Sequence, residues 1–215
     1  MSVVHHRFVW VVFVWALAAS WASGANPDLA SPKKAATAFA LALQKGDFAT
    51  VRSVTTGQES DYKLMQSVAT MTEAANKVQN ALVSKFGEEG KKIGAGISTG
   101  DPQKIPQDIA ASEERVSGDA ALIIMKGSTE AAAIRLTRVD GDWKVDLAHY
   151  PAKETLAQQA SSFEPMSKLF TQIAADISGG KYRSALEAGQ DISQRTMTLQ
   201  MAMRNTQRPA TTPSR

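Results

Sequence analysis

The chain reads as an α+β fold: helices first, an antiparallel meander next, and helices again at the end. Three observations carry this reading. Residues 31–86 keep apolar side chains at spacings of three and four, residues 112–148 switch to a spacing of two, and residues 152–204 return to helical spacing. The connections inside the middle stretch are too short for a parallel crossover, so its strands must pair as hairpins.

The first segment stands outside that pattern. MSVVHHRFVWVVFVWALAASWASGANP has the three parts of an export signal: Arg7 beside His5 and His6, an apolar run from Phe8 to Ala19, and small residues at Ser20, Ala22, Ser23 and Gly24. The run is shorter than the roughly 20 apolar residues a permanent span needs. Residues 1–24 are therefore expected to be a signal peptide, cleaved after Ala22 or Gly24. An uncleaved anchor is the competing reading. No Cys follows the apolar run, which excludes lipid attachment through an N-terminal cysteine.

Each later element has its own cause. Ser31-Pro32 is a helix start, a hydroxyl cap followed by proline at the first helical position. Ala35, Phe39 and Leu43 then recur at helical spacing until Gly46 stops them. Asp47 can cap a shorter helix carrying Phe48, Val51 and Val54. Across 60–86, Leu64, Val68, Met71, Ala75, Val78 and Leu82 mark one apolar face on a long helix. GEEG and IGAGISTGDPQ break that pattern over 87–111. The glycines at 94, 96 and 100 suggest a phosphate loop, but no Lys-Ser/Thr pair follows and Thr99 stands where a dinucleotide fingerprint needs its third glycine. A loop or short helix is expected there.

Strands are expected from Glu113 to Val116, over 120–126, over 131–139 and over 143–148, with turns at Gly118-Asp119, Gly127 to Thr129 and Asp140-Gly141. Asp-Gly supplies the positive φ angles of a tight hairpin. Trp143, Val145 and Leu147 alternate against Lys144, Asp146 and Ala148. Pro151 closes the sheet region. A helix over 152–162, a second starting at Pro165 with Met166, Leu169, Phe170, Ile173 and Ile177 on one face, and a third carrying Tyr182, Leu186, Ile192, Leu199 and Met203 follow. Gly179-Gly180 separates the last two, Gly189 is a weak point in the third, and residues 205–215 read as a disordered basic tail.

Composition removes whole classes of function. The 215 residues contain no Cys, so disulfides, thiolate catalysis and Cys-based zinc or iron–sulfur sites are excluded. An exported chain without Cys suits a bacterial periplasm or cell surface. Two of the three His lie in the leading segment, leaving His149 alone beyond it. The net charge of +3 is spread among interspersed acids and bases, without the basic stripe that nucleic-acid binding requires. No cofactor motif is present.

SPKKAATAFALALQKGDFATV, then VSGDAALIIM, then IRLTRVDGDWKVD resemble the nuclear-transport-factor-2-like superfamily, and within it the bacterial exported members of the lumazine-binding type. The resemblance covers roughly residues 31–148. It implies N-terminal helices packed on a curved antiparallel sheet that encloses a cone-shaped cavity, with residues 152–204 as a helical extension. It implies little about activity, since that fold hosts enzymes, ligand binders and inert accessory domains.

Four residues are candidates for a binding site: Trp143, Tyr62, His149 and Tyr150. Trp143 would either line the cone and stack on a flat ligand, or bury its ring in the core. Lys144 and Asp146 lie on the other face, where solvated cross-strand pairing is the expected outcome. Enzymes of the resembled family use an Asp or His base with a Tyr donor, which would assign His149 as base, Tyr150 or Tyr62 as donor and Asp119 as alternative base. Adjacent strand residues point to opposite faces, however, so His149 and Tyr150 diverge. Glu88-Glu89 and Glu113-Glu114 diverge for the same reason and suit neither a glycosidase nor a metal site. The leading expectation is an exported non-catalytic domain that binds a small apolar ligand or another envelope protein. A small cavity enzyme of the isomerase or dehydratase kind is the alternative, as is a membrane-tethered scaffold.

Overall fold

The structure is a computed structural model, and it describes residues 28–97 and 101–206. The expected signal peptide, Thr99 and Gly100, and most of the expected tail lie outside the described residues. The fold is α+β, with six α-helices and a five-stranded open sheet among the described residues.

Helix α1 (Pro32–Lys45) starts and stops as its sequence dictates. The Ser31 hydroxyl accepts from the Lys34 N–H, Pro32 opens the helix, and Gly46 closes it at φ 74°. Asp47 caps α2 (Phe48–Ser53) by accepting from the Thr50 N–H at 3.0 Å. Thr55 and Thr56 then form a two-residue strand, β1, which pairs in parallel with β5 (Asp142–Asp146). This corrects the expectation of an all-antiparallel sheet. Two threonines give no alternation to read, and the pairing depends on a strand almost ninety residues later.

The rest of the sheet is the expected meander: β2 (Glu113–Ser117), β3 (Ala120–Ile124), β4 (Ile134–Val139) and β5, in spatial order β1-β5-β4-β3-β2. Gly118 turns the first hairpin at φ 58°. Asp140 and Gly141 turn the last at φ 53° and 90°. The strand expected from residue 131 begins only at Ile134, because Glu130–Ala132 form a 3-10 turn. Three alanines lack the branched side chains that favour a strand. On the inner face, Leu136 stands opposite Ala121 and Val145, and Arg138 opposite Trp143. α1 covers this face and brings Phe39 into a first core with Ile123, Leu136, Trp143, Val145 and Leu147.

Helix α3 (Glu59–Gly94) runs through the molecule and ends by doubling back. Gly87 takes φ 58° and ψ −131°, a conformation open to glycine alone. A Cβ on Gly90 would stand 2.0 Å from the Leu82 carbonyl oxygen, and one on Gly94 would stand 3.1 Å from Gln79 Cγ. Eight residues of straight helix would separate Gly90 from Leu82 by about 12 Å. The arm after Gly87 therefore lies folded against the turns before it. The short helix α4 (Lys104–Ala110) leads from there to the sheet.

Helix α5 (Lys153–Ser178) is continuous, which corrects the expected break before Pro165. Its first half meets the first core through Leu156, and its second half buries Phe170, Ile173 and Ile177 in a second core. Packing along α3 at both ends holds the proline inside one helix despite its missing N–H. α3 and α5 lie parallel: their starts meet at Asp61 and Lys153, and their later turns meet where Val78 and Leu82 join Ile173 and Ile177. The last helix, α6 (Ala185–Thr206), begins after Tyr182 and buries Ala185, Ala188 and Ile192. Tyr182, expected within this helix, lies ahead of it, and Leu186 is 65% exposed. Gly189 is a contact point: a Cβ there would stand 3.1 Å from Ile93 Cγ2 of the folded arm.

Candidate functional site

Polar and aromatic residues gather where β1 and β5 pair and where α3 and α5 begin. The cause is topological: β1 leads directly into α3, and β5 leads through a 3-10 turn (Leu147–His149) into α5. Three of the four sequence candidates, Tyr62, His149 and Tyr150, fall in this region. Trp143 lies farther back on β5.

Each of these side chains has a local partner. The Tyr62 hydroxyl donates to the Thr55 carbonyl at 3.3 Å, and the Arg52 guanidinium lies 4.9 Å from its ring centre. The His149 side chain is exposed and holds Asp146 Oδ2 through Nδ1 at 2.7 Å. Asp146 also accepts from the Ala148 N–H at 2.9 Å, so it caps the turn that ends the sheet. Asp146 thus gives its oxygens to this turn and to His149, which corrects the expectation of a solvated cross-strand pair. Tyr150 sits edge-on to Phe39 with ring centres 5.4 Å apart, and burial pushes its phenol pKa up. Trp143 is 4% exposed and packs within the first core, with Arg138 lying 5.6 Å from its ring centre. Its backbone N–H donates to the Leu29 carbonyl at 3.0 Å, tying the chain before α1 to the sheet. Asp119, the alternative base, is exposed in the β2–β3 turn.

The most buried charge in this region is Asp61, whose role the sequence reading missed. Its side chain is 3% exposed, with one oxygen 2.7 Å from Lys153 Nζ and the other accepting from the Gln58 N–H at 2.9 Å. Burial pushes the carboxyl up, but the hydrogen bonds from Lys153 and Gln58 outweigh it and hold the group below the usual range. Asp61 stands three residues after Gln58, a spacing that marks a helix cap. Its cation comes from ninety-two positions away and leaves no local signal.

A second polar cluster pins α5 to α6. Asp176 Oδ2 receives Arg195 at 2.8 Å and Lys181 at 3.0 Å, while Asp191 receives the Tyr182 hydroxyl at 2.5 Å and Arg195 at 3.4 Å. Two open grooves of about 450 and 420 Å3 follow the α3–α5 seam. Asn80, Ser84 and Thr171 contribute to one wall, and Gln66, Phe163 and Ser167 to the other. Both grooves lie away from Trp143.

These contacts tie the first turns of α3 and α5 to the β1–β5 end of the sheet. Asp61 is neutralised by Lys153, and the Asp146–His149 pair opens to solvent. Among the described residues, no group of three or more His, Asp or Glu is placed to hold a metal ion. No described helix is long and apolar enough to cross a membrane. No protein-family model, curated protein or solved structure matches the chain.

Proposed function

We propose that this chain is an exported, non-catalytic domain of the nuclear-transport-factor-2-like kind, and that its helical half holds another envelope protein. One observation carries the choice of surface. Of the five exposed large apolar side chains among the described residues, Val83, Leu186, Met197 and Met201 lie on α3 and α6, and only Val116 lies on the sheet. Exposed apolar surface that recurs on one part of a molecule favours a partner there. The non-catalytic part of the reading is supported by the local engagement of Asp61, Asp146 and Trp143.

Photo-cross-linking in the native host tests this reading. A benzophenone side chain at Val83 or Thr171 on the helical half should yield a protein adduct, and one at Thr137 on the outer sheet face should not. Adducts confined to Thr137, or none at any helical position, would overturn it. The export component predicts a mature N-terminus at Ser23 or Ala25, read by intact-mass spectrometry. A chain retaining residues 1–22 would refute cleavage.

A further inference from the structure

The folded arm of α3, residues 88–97, is held in a way that sets it apart. Every other α-helix fixes at least one large apolar side chain in a core. The arm's buried residues are both glycines, Gly90 and Gly94, so it meets α3 through its backbone. Ile93 and Ile97 rest on the second core only half-buried. Glu88, Glu89, Lys91 and Lys92 are exposed, and the arm's one ion pair among the described residues is internal, Lys91 to Glu88 at 3.7 Å. By contrast, α6 is pinned to α5 through Arg195 and Asp176.

The arm is also a weak helix by itself. Its helical part, 88–94, is far shorter than the roughly 12–15 residues an isolated helix needs, and glycines at 90 and 94 lower its propensity further. Gly87 permits the reversal at its root, and a glycine reaches helical angles just as freely. A segment with such a hinge and no fully buried side chain belongs to the low-stability end of a fold, from which moving elements are drawn.

What the arm covers is largely apolar. Gly90 lies against the Leu82 carbonyl and the Val83 N–H, Gly94 against Gln79, and Ile93 against Gly189, next to the buried Ala188 and Ile192 of α6. Two exposed apolar side chains border it: Val83, adjoining Gly90, and Leu186, one turn before Gly189. They extend the covered apolar surface to the outside.

On the partner-binding reading above, we propose that the arm is an autoinhibitory strap. Hinged at Gly87, it closes the surface between α3 and α6, and the partner binds there when it opens. The occupant of the opened seat is a partner helix with glycine, alanine or serine four residues apart. Only such a helix approaches Leu82 and Gln79 as closely as Gly90 and Gly94 do.

The chain has no native Cys, so one engineered bridge can lock the strap. A Cβ at 189 would lie 3.1 Å from Ile93 Cγ2, which brings Ile93→Cys and Gly189→Cys within bridging reach. The full chain with both changes, and a benzophenone side chain at Val83, is irradiated in its native host before and after treatment with dithiothreitol. The bridged chain should give about tenfold less protein adduct than the reduced one, as expected when the binding-competent state is depleted. Each single-cysteine chain should be insensitive to dithiothreitol. Gly87→Ala strains the reversed backbone without meeting a neighbouring atom, so it should raise the adduct. The cross-linked partner peptide should carry two small residues four apart. Equal or greater adduct from the bridged chain, a lowered adduct from Gly87→Ala, or adduct at Thr171 but not at Val83 overturns the strap and leaves the partner-binding reading standing. A partner peptide without that spacing, or an adduct of twice the chain's mass, overturns the assigned occupant. Silence at both Val83 and Thr171 in every chain removes the strap and the partner-binding reading together.

Discussion

Lys153 pairs with Asp61, the most buried carboxylate in any ion pair among the described residues, and substitution effects there should depend on pH in a defined direction. Lys153→Met leaves a buried carboxylate without its cation, a loss of about 1–3 kcal/mol at neutral pH. That is below the range for a fully enclosed pair because Lys153 is partly exposed. The folded pKa of Asp61 is depressed, so the pair's stabilisation is present above the unfolded value of about 4 and is lost as the pH falls through the folded value. The gap in urea midpoint between wild type and variant should therefore narrow as the pH drops below about 4. A gap constant from pH 7 to 3 would show that the pair contributes through packing alone. His149→Gln, by contrast, alters an exposed ring and should change stability by less than about 0.5 kcal/mol. Asp146→Ala removes a turn cap and should cost about 1 kcal/mol in the same measurement.

At the scale of elements, the folded arm of α3 depends on glycines for two reasons. Gly87 supplies a backbone conformation that side chains forbid, whereas Gly90 and Gly94 supply closeness. Gly90→Ala places a methyl group 2.0 Å from a backbone oxygen, so the arm must move. A destabilisation above about 2 kcal/mol is expected in urea unfolding. The helix caps and hairpin turns, by comparison, were legible. Ser31-Pro32, Gly46, Asp47 and Asp140-Gly141 each act within a few residues of their own position, so local chemistry is sufficient to place them. The break at Gly87 was legible as a break, but the reversal was not. Nothing within GEEGKKIG says that it packs on Leu82 and Gln79. Pro165 misled for the complementary reason: a local stop signal was overruled by the packing of both halves of α5 on α3.

For the whole molecule, α3 contributes Met65 to the first core and Val78 and Leu82 to the second. The two cores should therefore unfold as one. Calorimetry should give a single transition with equal calorimetric and van't Hoff enthalpies, and two resolved transitions would show that they are independent. Truncation after Tyr150 should yield an aggregating chain rather than a folded sheet domain, because it strips α5 and α6 from the apolar face of α3 around Val78 and Leu82.

Local patterns were enough to establish the α+β class, the helix–meander–helix order, the caps and tight turns, and the absence of cysteine chemistry. Those properties depend on residue type and on spacing within a single element. It also named Tyr62, His149 and Tyr150, which the structure brings to the β1–β5 end of the sheet. The parallel pairing of β1, the course of α3 through two cores, the Asp61–Lys153 pair and the contact of Gly189 with the folded arm emerge only in three dimensions. Each of these joins residues far apart in the chain. Their contact energy exists only after the intervening chain has folded, so no local pattern carries it.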